Sequence, residues 1–171
     1  MPRPASPRRR RGGTTLPETA LVLSAFLLFL MGIFEYSRFI MLLHVGTNAA
    51  RSGARYASVN VSNPSDFDTV AYNGKMSVHD FVKAEMGGAY DMIDSRSLSV
   101  FPCDNAQLYA NPPVIVTKGG SPAWNQATFT ERIAVRINGN FKPILPGFVF
   151  FYTGGSDVVP LNIAATASSE G

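Results

Sequence analysis

Apolar residues dominate the chain from Leu16 to Phe34, nineteen positions interrupted by a single charge, Glu18. At about 1.5 Å per residue this is roughly 28 Å of helix, close to the hydrocarbon thickness of a bilayer. Beyond it the pattern changes rather than stops. Tyr36, Ile40, Leu43, Thr47, Ala50, Ala54 and Ala57 recur at intervals of three and four, mostly apolar or small, and predict one packed face of a continuing helix. No proline interrupts Thr19 to Asn63, and Asn63-Pro64-Ser65 supplies a stop. Gly46 and Gly53 each weaken a helix by about 1 kcal/mol relative to alanine, which is tolerable where that face packs closely against something. The expectation is one rod, with a membrane at one end and an amphipathic stripe at the other.

After Pro64 the periods are shorter and mixed. Val78 to Met86 reads as a short helix closed by Gly87-Gly88. Leu98 to Phe101 and Val114 to Thr117 are short strand candidates bounded by Pro102, Pro112-Pro113 and Gly119-Gly120. Thr128 to Asn138 is the clearest strand: Phe129, Ile133, Val135 and Ile137 alternate with polar residues, and only Glu131 breaks the apolar side. Val159 to Ala167 alternates likewise, with Leu161, Ile163, Ala165 and Ala167 on one side. Phe148 to Tyr152 is five bulky residues in a row. They cannot all face one core in a strand, because alternate side chains point oppositely. The fold class predicted is α+β: a long amino-terminal transmembrane and amphipathic helix, then a small, mainly antiparallel sheet of three to five strands with short helices on one face.

Charge sharpens the membrane reading. The formal net charge is +3, yet Arg3 and Arg8 to Arg11 hold five of the fifteen basic residues and no acidic residue precedes Glu18. Without its first thirteen residues the chain has ten basic against twelve acidic side chains, a net charge of −2. A nucleic-acid-binding domain carries its positive charge on a folded face; here it sits in a leading tail, so no nucleic acid is expected as a partner. A buried core helix does not need five arginines before it. A secretory signal peptide has this basic start but needs a small-x-small cleavage site, and Ile33-Phe34-Glu35-Tyr36-Ser37-Arg38 offers bulky and charged residues instead. A retained inner-membrane anchor fits best. The arginine asymmetry puts the amino terminus in the cytoplasm and the chain beyond residue 35 outside.

Within this segment lies a recognisable series. A basic leader ends in Gly13, then come Thr14-Thr15-Leu16-Pro17, then Glu18 and the apolar run. The helix then carries Glu35-Tyr36-Ser37-Arg38 and Asn48-Ala49-Ala50-Arg51-Ser52-Gly53-Ala54-Arg55-Tyr56-Ala57. Together these resemble the TadE-like proteins of tight-adherence pilus systems, a class with a type IV prepilin-like start. The resemblance covers about residues 10 to 58. It implies cleavage by a membrane prepilin peptidase between Gly13 and Thr14, which makes Glu18 the fifth residue of the mature chain. It further implies that the Glu18 carboxylate pairs with the new α-amine of a neighbouring subunit during assembly. Glu35, Tyr36, Arg38, Asn48, Arg51, Gly53, Arg55 and Tyr56 are the family's helix positions. The resulting division is a leader (1–13), a transmembrane and extended helix (14–63) and an exported domain (64–171).

The remaining candidate chemistry is sparse. Cys103 is the only cysteine, so an internal disulfide is excluded and a buried, apolar thiol is expected. His44 and His79 have no partner at ligand spacing. Asp66/Asp68 and Asp91/Asp94 lack the ligand density of a calcium loop, and Gly119-Gly120 and Gly154-Gly155 read as turns. No nucleophile–base or metal constellation is visible, so neither an enzyme nor a cofactor is expected. The function predicted is a non-enzymatic minor pilin or pseudopilin. Its partners are a prepilin peptidase, other pilin subunits with their assembly machinery, and inner-membrane lipid. The alternative is a permanently anchored single-pass protein whose exported domain binds a partner.

Overall fold

A computed structural model describes residues 15–104, 115–120, 122–127, 131–144 and 158–168. Helix α1 runs unbroken from Thr15 to Val59. Pro17 lies in its first turn, where amides have no helical acceptor and the ring costs nothing. From Leu16 to Phe34 its side chains are exposed almost without exception. The most apolar stretch has mean hydropathy 2.0, and only 6% of it is buried by the rest of the chain. Such a surface is costly in water and favourable in lipid, and its length and composition suffice to cross a membrane.

The second half of α1 is the spine of the α+β domain. Strands β1 (Ile93–Cys103), β2 (Arg132–Phe141) and β3 (Val159–Ser168) form an antiparallel sheet in the order β1-β2-β3. Ile133, Val135 and Ile137 of β2, with Leu161, Ile163 and Ala165 of β3, turn one face onto α1. The helix answers with Leu42, Ala49, Ala50, Ala54 and Ala57, all buried. Beyond Leu42 these residues are all alanine, which lets helix and sheet approach closely. A Cβ on Gly46 would sit 2.5 Å from Ile163 Cδ1, and one on Gly53 would collide with Val82. Helix α2 (Val78–Met86) packs Val78, Val82 and Met86 into the same core. Ser77 caps it, accepting from the Asp80 amide at 3.1 Å, and Gly87 closes it at φ 52°. The opposite sheet face carries a smaller cluster of Phe101, Cys103 and Ala134 beneath Ile115.

Several boundaries differ from the sequence reading. Helix α1 ends at Val59, short of Asn63, because Asn60 turns back on it: its side-chain amide donates to the Tyr56 carbonyl at 2.8 Å and its backbone N–H to the Ala57 carbonyl at 3.0 Å. The packed stripe is displaced from the expected one at its membrane-proximal end, where Tyr36 is 67% exposed and Glu35 is buried. Strand β1 starts five residues before Leu98, through a bulge between Asp94 and Ser97 in which Ser95 adopts φ 50°. Gly139 of β2 lies opposite that bulge, and a Cβ there would run into Ile93 and, at 3.0 Å, the Asp94 carbonyl. Of the candidate strand ending at Thr117, the described part makes a single bridge from Thr117 to Cys103. Glu131 pairs with Lys118 just before β2 begins. Residues 128–130 and the run Phe148 to Tyr152 lie outside the described residues.

Candidate functional site

The residues singled out along α1 separate by what their side chains touch. Glu18 is in the first turn, exposed, and without an ion-pair partner among the described residues. A carboxylate there interacts favourably with the positive end of the helix dipole. Gly13 and Thr14 lie outside the described residues.

At the other end of the apolar span, Glu35 is only 4% exposed. Its Oε2 accepts from Arg38 Nη1 at 3.1 Å, and its Oε1 accepts the backbone N–H of Ile144 at 2.8 Å. Ile144 follows β2 in the Phe141-Lys142-Pro143-Ile144 bend. The Arg38 guanidinium lies over the Phe141 ring, 5.6 Å from its centroid, and the Phe39 ring meets the same ring at 5.5 Å. Helix residues 35 to 39 thus grip the membrane-proximal end of the sheet. A charge pair, an amide donor and two rings close on one bend.

Gly53 and Tyr56 are also inward. Gly53 touches Val82 and Val135 where α1, α2 and β2 meet. Tyr56 stacks on Phe81 with centroids 4.3 Å apart and rings 3° from parallel, and its hydroxyl donates to the Met76 carbonyl at 2.9 Å. Burial pushes its phenol above the ordinary tyrosine range. Beyond Tyr56, Asn60 Oδ1 accepts from Lys75 Nζ at 2.8 Å, and Trp124 Nε1 donates to the Ser65 carbonyl at 2.7 Å. These bonds tie the far end of the helix to the loops around it. Sequence reading missed Asn60, Lys75 and Trp124, since single polar residues in loops carry no periodic signal.

Tyr36, Asn48, Arg51 and Arg55 face outward. Tyr36 borders a shallow depression with Ile40, Met41 and His44. Arg51 and Arg55, one turn apart, make no ion pair among the described residues and flank an open groove beside β3. His44 is exposed. His79 buries its Nε2 without a hydrogen-bond partner among the described residues. Burial lowers its pKa below the ordinary histidine value, against the opposing pull of Asp68 and Asp80. Cys103 is buried and free, its pKa raised chiefly by burial, so the thiol is packed rather than poised for reaction. Asp91 pairs with Arg96 at 3.2 Å.

The geometry therefore describes a bare apolar helix fixed at one end to a small domain, and the motif residues form both the fixing points and an outward stripe. Residues 13–55 match the family model of the TadE-like proteins. The match begins at Gly13 and ends at Arg55, within the second helix element, so it associates the chain with tight-adherence pilus systems in general terms. No curated protein and no solved structure matches the chain.

Proposed function

We propose that this chain is a minor pilin or pseudopilin of a tight-adherence-type pilus, acting by assembly and not by catalysis. The observation that carries the reading is α1 itself. Its first half has an apolar surface that its own chain leaves bare, while its second half is rigidly built into a domain. A subunit stored in the inner membrane and later packed into a helical bundle needs that division: lipid covers the bare half first, and neighbouring helices cover it afterwards. The cytoplasmic arginines hold the leader at the membrane face. The prepilin peptidase cuts between Gly13 and Thr14, creating a positive α-amine four residues before Glu18.

Inside a bundle a lone carboxylate costs several kcal/mol, and a neighbour's α-amine offsets much of that. Glu18 therefore rewards assembly of processed subunits and penalises unpaired insertion. The family match supports this role, since it spans Gly13, Glu18, the first helix element and the second as far as Arg55. The amino-terminal residue of the protein recovered from native membranes tests it. Thr14 is the expected start. An intact arginine leader in cells that express the peptidase would identify a permanently anchored protein instead. A reporter joined after Gly171 and active only in the cytoplasm would overturn the orientation.

A further inference from the structure

We propose that the groove between α1 and the outer edge of β3 receives an extended, carboxylate-bearing segment of a partner protein, added to β3 as a further strand. The floor of the groove is Ala164, Ala165 and Thr166. β3 is the last strand of the sheet, and among the described residues nothing pairs with its outer edge. In an antiparallel strand alternate residues direct both backbone groups away from the existing neighbour, so that edge offers a ready row of donors and acceptors.

The walls define what fits. On the helix side stand Arg51 and Arg55; on the other side stands Ile115, whose partners Phe101, Cys103 and Ala134 belong to the opposite sheet face. Side chains of an added strand alternate between those two walls. One set meets two guanidinium groups and the other meets an aliphatic side chain, so the matching sequence alternates acidic and apolar residues. Like charges one helical turn apart repel, and Arg51 and Arg55 have no acidic partner among the described residues to offset this. Lipid phosphate is the wrong source of negative charge. Arg51 lies seventeen residues beyond Phe34, roughly 25 Å further along the helix, whereas the headgroup layer adds only about 5–8 Å to each side of the apolar slab. The proposal does not depend on processing or on Glu18.

The test uses the full-length chain in detergent micelles and a fluorescent peptide of alternating glutamate and valine, with binding read by anisotropy. Wild type and the exposed-site control Lys142→Gln should bind alike. Binding should weaken about tenfold or more when glutamine replaces the peptide glutamates, or when the chain carries Arg51→Gln and Arg55→Gln together. A peptide N-methylated on every backbone amide keeps every charge but has no N–H on either edge to pair as a strand, and should bind at least about tenfold more weakly. Equal binding of the methylated peptide would reduce the site to ionic adhesion and overturn strand addition. Unchanged binding by the double variant would overturn the assignment to this groove. Sedimentation of the chains alone supplies two further refuting outcomes. Wild-type dimers that the double variant cannot form would make the occupant a second copy. Self-association only in the double variant, with no peptide bound by wild type, would make the arginines guards of the edge.

Discussion

Removing the Glu35 carboxylate should release the bend after β2 from the helix. In Glu35→Ala the Ile144 amide loses a charge-assisted acceptor at 2.8 Å, and Arg38 loses its partner at 3.1 Å. A hydrogen bond to a charged group contributes about 1.5–3 kcal/mol. The Arg38 pair, whose arginine side chain is 20% exposed, adds no more than about 1 kcal/mol. A local loss of about 2–3 kcal/mol is therefore expected, which is roughly a 30- to 150-fold rise in the opening equilibrium of this bend. Amide hydrogen exchange of a peptide spanning Phe141 to Ile144, measured on the full chain in micelles, reads that quantity directly. Glu35→Gln keeps an oxygen for the Ile144 N–H while ending the ion pair, so its effect should be several-fold smaller. Tyr36→Ala is the internal control. Tyr36 belongs to the same motif but is 67% exposed, and its loss should change exchange at Ile144 by less than about threefold. Indistinguishable exchange in wild type and Glu35→Ala would refute the claim that residues 35 to 39 fix the α+β domain to the rod.

Gly53→Ala should destabilise the domain by about 1–3 kcal/mol in denaturant melts, despite its better helix propensity, because the new methyl meets the stiff Val82 side chain. Gly46→Ala should cost less, since it meets only the movable tip of Ile163; the reverse order would contradict the packing described. His79 should make the domain less stable in acid. Its folded pKa lies below the unfolded value of about 6.5, so its stabilising contribution is present above that pH and is lost as pH falls through the folded value. His79→Gln should flatten the stability profile below about pH 6.5, and an identical slope in both chains would rule that source out. Prepilin peptidase should leave Gly13→Ile with its leader, read as a species thirteen residues longer than the mature chain; maturation to the wild-type mass would refute cleavage after Gly13.

The α+β division was legible because the second half of α1 follows a helical period while β2 and β3 both alternate, over long enough runs to be told apart. α2 was legible to the residue because Gly87 ends it. The features that the pattern misjudged have local causes. The sets beginning at Glu35 and at Tyr36 are both spaced by three and four, and in a helix rich in alanine and glycine neither is strongly marked as the buried one. The deciding contact is with Ile144, 109 residues away, and no periodicity carries that information. The start of β1, Ile93 to Ser97, is mostly polar and bulged, so its alternation is hidden. Of the candidate site, the motif residues were named through the resemblance to the TadE-like proteins, not by periodicity. Their division into inward Glu35, Arg38, Gly53 and Tyr56 and outward Tyr36, Asn48, Arg51 and Arg55 was not, because both sets are polar, aromatic or small and only the position of the sheet separates them.

The central claim, assembly through Glu18, is tested most directly by recovering wild-type and Glu18→Gln chains with the pilus or pseudopilus components, at matched membrane levels. The glutamine remains polar, and Glu18 is exposed in the first turn of α1, so membrane insertion, removal of the leader and folding of the α+β domain should be unchanged. The glutamine cannot, however, neutralise a neighbour's buried α-amine, a deficit of several kcal/mol at each contact. The account predicts that Glu18→Gln accumulates normally, begins at Thr14 and is lost from the assembled fraction. Equal recovery of both chains with the assembly would contradict it.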